Sequence, residues 1–266
     1  MRTAKTLLSA CAIVCLAAFA LTAAAWAEEP DAQVLLATAV GALDPAAQRV
    51  RYEVRAFDGK GGETGSAFLV VHARTDAGAA TLGYLRKSDT LPELGALSWP
   101  GKDGAPELYL LAKGKSKGAA FRKAQEPLGK TDVRFADLLA LGRPDKAAIV
   151  GRVIFNGARC WIVRAEYPAR SSEYRTAQVW IREDDPAVLQ IEWRDRKDRP
   201  VHQVRIVPKR TADGVLTVDE LTCRNLEKGS WTVLKAQAVK PDLGTPPAVL
   251  TPALLADPKA LDALWP

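Results

Sequence analysis

The chain has two histidines, His72 and His202, and they are the first place to look for chemistry. His72 lies in SAFLVVHA and His202 in VHQVRIV, both with the alternation of strands. Neither has a Cys, Asp or Glu at metal-ligand spacing in its own segment. No Cys-x-x-Cys, paired-His or His-Glu-x-x-His arrangement occurs. Each histidine reads as a sheet-surface or hydrogen-bonded residue, and the sequence implies no metal and no cofactor. Ser66 and Ser230 stand at strand edges without a local base, and no nucleophile elbow joins a strand to a helix. GKGGETG, Gly59 to Gly65, joins two strands, so it is a hairpin loop rather than a phosphate cradle. Asp184 and Asp185 sit in a turn, and Glu192 and Asp219 lie on polar strand faces. No catalytic set emerges.

One charge cluster stands out. Lys113, Lys115, Lys117, Arg122 and Lys123 crowd LYLLAKGKSKGAAFRKA. It reads as a solvated hairpin or, alternatively, as a contact for anionic lipid head groups or a partner. No interleaved aromatics suggest base stacking, so no nucleic acid is implied.

The start of the chain has the layout of an export signal. Arg2 and Lys5 precede an uncharged run from Thr6 to Ala27 that ends in Ala25-Trp26-Ala27. The expectation is cleavage after Ala27, with residues 1–27 a removed signal peptide and 28–266 a single periplasmic domain. The run could span a bilayer, but the small-residue site favours cleavage. The lipobox-like LSAC at Leu8–Cys11 has almost no apolar stretch before it, which argues against lipidation. Without Arg2 and Lys5 the formal charge falls from +6 to about +4, too mild to demand a polyanionic partner. Cys160 and Cys223 remain, and each sits in an apolar strand pattern that favours a buried free thiol.

The elements are mostly strands. Asp31–Leu43 reads as a helix with a broad apolar face. Roughly eleven strand-like runs succeed it, joined by polar turns such as NGA, DDP and RKDRP, as consecutive antiparallel strands require. GKTDVRFADLLALGRP, Gly129 to Pro144, interrupts them as a short helix with Asp132 as its N-cap, and Phe135 and Leu138 share its buried face. SDTLPELGALSWPGKDGAP reads as loop, and TPALLADPKALDALW as a terminal helix. In the second half, one strand parity is apolar: Trp161 and Val163; Val179 and Ile181; Leu189, Ile191 and Trp193. The other parity is polar. The three helices are the available covers for the apolar face.

Gly129 and Asp132-Val133-Arg134-Phe135-Ala136-Asp137-Leu138 resemble the G-x-x-D-F-S-Y-x-D-L stretch of the outer-membrane lipoprotein-sorting protein family, relatives of the LolA/LolB carriers. The basic strand upstream and the hairpin series TAQVWIREDDPAVLQIEWRDRKDRPVHQV downstream resemble that family too, from about Glu107 to Leu255. Val133 and Arg134 depart from its pattern. The resemblance implies an incomplete antiparallel β-barrel curled around helices that close its concave side. It implies a monomeric, non-enzymatic periplasmic carrier of lipid or lipoprotein acyl chains. The alternative is an accessory protein of an envelope (RND-type) transporter at the inner membrane. Under the carrier reading, Trp161, Val163, Val179, Ile181, Leu189, Ile191 and Trp193 line the cargo face. Phe135 and Leu138 then belong to a lid or plug.

Overall fold

The computed structural model describes residues 29–42, 47–75, 78–89, 93–100, 106–112, 115–119, 126–138, 144–167, 174–211, 214–241 and 250–265. By backbone proximity the chain divides into Met1–Asp31 and Ala32–Pro266, and the sheet with its covers belongs to the second unit. The expected signal peptide and its cleavage site lie outside the described residues.

One helix, α1 (Ala32–Ala42), is followed by thirteen strands: β1 (Ala47–Phe57), β2 (Glu63–Thr75), β3 (Gly78–Leu85), β4 (Leu94–Pro100), β5 (Pro106–Ala112), β6 (Lys115–Ala119), β7 (Lys146–Phe155), β8 (Ala158–Glu166), β9 (Thr176–Arg182), β10 (Val188–Arg194), β11 (Pro200–Arg210), β12 (Leu216–Asn225) and β13 (Ser230–Pro241). All thirteen form one open antiparallel sheet in the order β6-β5-β4-β3-β2-β1-β13-β12-β11-β10-β9-β8-β7. It does not close into a barrel. Every neighbour is a chain neighbour except β1 and β13, whose pairing joins two meanders.

Two strands exceed the expected eleven. β4 is masked in the sequence by the Pro and Gly residues around LGALSWP, which signal loop locally, although β3 and β5 pair with it on both sides. β6 falls within the run that reads as a basic hairpin. The Asn156–Gly157 turn behaves as its sequence demands, with φ of 50° and 81° between β7 and β8.

Register shifts between Arg51/Tyr52, Ile149/Gly151, Val188/Gln190, Trp193/Arg194 and Val207/Pro208 bend the sheet. The result is one core shared by strands far apart in the order, from Phe68 and Leu85 to Val163 and Ile181. α1 lies against β7 and β9, with Leu35, Leu36 and Ala39 in that core.

The topology explains the interruption at Gly129. β6 and β7 are consecutive in the chain but stand at opposite edges of the sheet. Twelve strand spacings of ~4.8 Å make about 58 Å if flat, and the 26 residues between Ala119 and Lys146 can span about 86 Å extended. The connection can therefore cross the inner face, and residues 126–138 lie there as a strap. Pro127 bridges Arg134, and the Leu128 N–H donates to the Val133 carbonyl at 2.8 Å. Gly129 takes φ 63° in the loop between them.

The strap is not the expected helix. Among the described residues of the strap only Phe135–Leu138 is helical, a 3-10 turn, and residues 139–143 lie outside the described ones. Asp132 is no N-cap either. Its carboxylate accepts from Ser230 Oγ, and its backbone N–H donates to Thr232 Oγ1, both at 2.8 Å. Tertiary partners on β13 took the groups a cap would have used.

The C-terminal cover also differs from expectation. A 3-10 turn (Leu254–Ala256) precedes a short helix, α2 (Pro258–Ala263). Pro258 forces Asp257 out of the helical region (φ −113°, ψ 94°), where its side chain caps α2 through the N–H groups of Lys259 and Ala260. Leu250, Leu254, Leu255 and Leu261 pack on Leu69, Val71, Leu82 and Leu97. Those sheet residues have the opposite parity to Phe68 and Val70. The C-terminal segment therefore covers the outer face, not the concave one. β2 to β5 are apolar on both faces, which the unbroken run Phe68–Val71 encodes.

Candidate functional site: the strapped inner face

Cross-strand registers build a continuous inner row. Ile149 pairs with Val163, Val163 with Val179, Val179 with Ile191, Ile191 with Val204, and Val204 with Cys223. Trp161, Val163, Val179, Ile181 and Ile191 are all buried in this core, and Trp193 is partly buried against it. Trp193 also touches Tyr167 and Tyr174, with ring centroids 5.4 and 5.5 Å apart. The Arg152 guanidinium lies 3.9 Å from the Trp161 ring centroid.

Leu189 departs from the expected row. The bulge after Val188 pairs Val188 with Ile181 and Gln190 with Trp180, leaving Leu189 as the extra residue. Val188 joins the core cluster in its place. Strict alternation could not foresee this, because one inserted residue reverses the parity of everything beyond it.

The strap closes the other end of the face. Phe135 is fully buried and packs with Ala96 and Leu108, while Leu138 is partly buried beside them. Both rest on Gly83: a Cβ there would lie 3.2 Å from Phe135 Cδ2 and 3.2 Å from Leu138 Cδ1. The i, i+3 spacing of a 3-10 turn puts both side chains on one side. Between Leu128, Thr131 and Val133 of the strap and Val54, Phe68, Leu85 and Leu234 of the sheet remains a void of about 10 Å³. That is about the size of one water and far below an acyl chain.

Beside this apolar seat, the strap reaches a polar island. His202 and Cys223 are both fully buried on the inner parity of β11 and β12. His202 Nε2 lies 3.0 and 3.1 Å from the two Asp137 carboxylate oxygens, and Nδ1 lies 3.0 Å from the Arg224 carbonyl. The Cys223 thiol donates to Asp137 Oδ2 at 3.5 Å, and the Arg134 backbone N–H donates to the same oxygen at 2.8 Å. Burial pushes the Cys223 thiol well above its ordinary range, and the Asp137 carboxylate adds to this. Burial also raises the Asp132 carboxyl, against the Ser230 hydrogen bond that favours its charged form. Sequence reasoning misses this cluster because its members stand in three elements, at positions 137, 202 and 223. Their one sequence signal is the pair of aspartates in the strap motif. Cys160 and Cys223 are both free and buried.

The other expected contacts are more dispersed. Lys117 is exposed on β6, the edge strand, and Lys115 lies in the same strand. Lys113, Arg122 and Lys123 lie outside the described residues. Gly114–Gly118 spell Gly-x-Ser-x-Gly, but Ser116 is paired within β6 opposite Leu111 rather than placed at a strand-to-helix turn. On the outer face, an open depression of about 330 Å³ is lined by Arg51, Glu53, Arg86 and Trp265 among others. There Arg86 stacks on Trp265 and pairs with Asp262. Among the described residues no helix is long and apolar enough to cross a membrane.

A family model described as "-like: Uncharacterized protein" matches residues 94–257, more than half of the chain, and the chain belongs to that family. No curated protein matches it. Among solved structures, a putative outer membrane lipoprotein-sorting protein domain from Vibrio parahaemolyticus superposes with TM-score 0.75 at 14% identity, covering 85% of this chain and 98% of that one. A DUF1329 family protein from Desulfovibrio piger ATCC 29098 gives 0.72 at 16%, covering 84% and 97%. A LolA superfamily protein from Nitrosomonas europaea gives 0.66 at 14%, covering 84% and 98%. At these identities the likeness shows the fold alone: this chain shares the fold of these three structures.

Proposed function

We propose, for a family member with this architecture, a periplasmic, non-enzymatic carrier or chaperone. It would shelter lipid, or the acyl chains of lipoproteins, for transfer towards the outer membrane. The observation that carries this reading is the cover of the inner face. An apolar surface running across much of the sheet is roofed by a helix and a strap, not by a second sheet. A roof of that kind can be exchanged for another apolar body.

The energies allow such an exchange. Fully burying a side chain of the size of Leu128, Val133, Phe135 or Leu138 contributes about 1.5–3 kcal/mol; with Leu128 and Leu138 only partly buried, the strap's grip is at most roughly 6–12 kcal/mol. A dozen acyl methylenes at about 0.8 kcal/mol each contribute about 10 kcal/mol. The two are comparable, as reversible loading and release require. Because the void beneath the strap is so small, cargo enters only as the strap or α1 gives way.

Native mass spectrometry of the chain isolated gently from its own envelope, together with uptake of a fluorescent fatty-acyl probe, tests the proposal. Co-purified lipid and saturable probe uptake support it, and a chain that takes up no apolar probe refutes it. N-terminal sequencing of the exported form is expected to begin at Glu28.

A second reading is an accessory role at an RND-type transporter, with protein rather than lipid as ligand. Its supporting observation is β7, an edge strand that exposes Val150, Val153 and Ile154. Unpaired apolar edges favour strand addition by a partner. A lipid-free mass with a co-purifying membrane protein would favour this reading.

A further inference from the structure

We propose that Asp137, His202 and Cys223 form a binding site for a divalent, borderline-soft metal ion, of which Zn²⁺ is the natural example. The site would fasten the strap to the sheet. Carboxylate oxygen, imidazole nitrogen and thiol sulfur from three different elements converge, and the donor atoms all lie within 4.8 Å of one another. Tetrahedral zinc with these ligands places its donors about 3.3–3.5 Å apart. His202 Nε2 and Asp137 Oδ1 stand at 3.0 Å, and Cys223 Sγ and Asp137 Oδ2 at 3.5 Å. The third pair, His202 Nε2 and Cys223 Sγ, lies within 4.8 Å, and closing on an ion would bring these two atoms to about 3.5 Å.

The surroundings are those of a metal centre. The Arg224 carbonyl takes the Nδ1 proton of His202, which leaves Nε2 facing the cluster. The Arg134 N–H holds Asp137 Oδ2. Metal ligands are oriented by contacts of this kind. Both Asp137 oxygens stand nearly equidistant from Nε2, so the carboxylate presents an edge able to bind through two atoms. The side chains of His202 and Asp137 are 0% and 2% exposed, and Cys223 is fully buried, as in closed structural sites.

The charge balance also closes. Without metal, the contact between Nε2 and the carboxylate requires a proton, whichever atom holds it, and Cys223 keeps its thiol proton. Binding a dication displaces those two protons and leaves the site's net charge unchanged. An ion can therefore enter this buried place without an uncompensated charge. No redox step is involved.

The test uses the full untagged chain, reduced, stripped with chelator, and titrated with Zn²⁺ alone or Co²⁺ alone. One ion should bind per chain. At about 100 times Kd the melting midpoint should rise by about 5–10 °C. Co²⁺ should produce a thiolate-to-cobalt charge-transfer band. That band should survive Cys160→Ala and vanish in Cys223→Ala. Asp137→Asn should weaken Zn²⁺ binding more than about tenfold. If Cys223→Ala does not fold, X-ray absorption at the zinc edge of the wild type should show one sulfur neighbour. Wild type that binds neither ion, a cobalt band that persists without Cys223, or zinc with no sulfur neighbour would each overturn the site and leave a hydrogen-bonded cluster only. None of these outcomes depends on whether the protein carries lipid.

Discussion

Phe135 sits on Gly83 because Gly83 has no side chain: a Cβ there would come within 3.2 Å of the Phe135 ring and 3.1 Å of Phe68 Cζ. A strap that must cross a sheet needs a low point to cross at. Gly83→Val is expected to destabilise the protein by about 1–3 kcal/mol through overpacking. Phe135→Ala is expected to cost about 3–5 kcal/mol, since the ring is fully buried. The two changes touch, so the double variant should cost measurably less than the sum in chemical denaturation. Strict additivity would place the ring elsewhere.

Ile181 tells a permanent core from an exchangeable one. It is fully buried among the inner-face residues. Ile181→Asp buries an unpaired charge and should unfold the domain. Ile181→Ala should cost about 2–5 kcal/mol and leave a fold in which acyl-probe uptake can be measured. If the carrier proposal holds, Ile181→Ala and Ile191→Ala alter probe affinity beyond what their stability loss explains. Unaltered affinity in both would move the cargo away from this part of the face.

Acid should weaken one ion pair beside the inner-face Trp161 in a stated direction. The Arg152 guanidinium grips Glu183 with two hydrogen bonds of 2.8 Å, chiefly through which the Glu183 carboxyl is held below the ordinary carboxylate range. A carboxyl whose folded pKa is depressed stabilises the fold above its unfolded pKa, and loses that contribution as pH falls through the folded value. Wild type should therefore exceed Glu183→Gln in stability at neutral pH. The difference should shrink as pH drops below the usual carboxylate range. Chemical denaturation at several pH values reads this, and a gap that widens on acidification contradicts it.

The C-terminal segment is expected to matter for solubility more than for the inner site. Leu255 is 1% exposed, and its Cδ2 would stand 3.0 Å from a Cβ on Gly95. Leu255→Ala should destabilise by about 2–5 kcal/mol. Removing residues 250–266 would uncover Leu69, Val71, Leu82 and Leu97 together. The truncated chain is expected to bind a hydrophobic dye strongly and to aggregate. A monomeric truncated form without dye binding would show that this cover is dispensable.

The sequence by itself determined what depends on near neighbours. Antiparallel strands, the Asn156–Gly157 turn, the helix at Ala32–Ala42 and the inward parity of Trp161, Val163, Val179 and Ile181 all arise from period-two alternation, helical spacing and turn chemistry. Those signals act over a few residues and need no knowledge of the rest of the chain. The resemblance carried by Asp132 to Leu138 located the strap, though not its shape. Tertiary structure alone decided the rest. Leu189 lost its place to Val188 because a bulge changes register without changing composition. Asp132 is not the helix cap because Ser230 and Thr232, about a hundred residues away, hold it. The C-terminal leucines went to the outer face because β2 to β5 are apolar on both sides, and an apolar residue does not encode which side it will cover. Asp137, His202 and Cys223 met only because the pairing of β1 with β13 folds two meanders into one sheet whose edges the strap must join. Their contact is a property of topology, and no spacing along the chain records it.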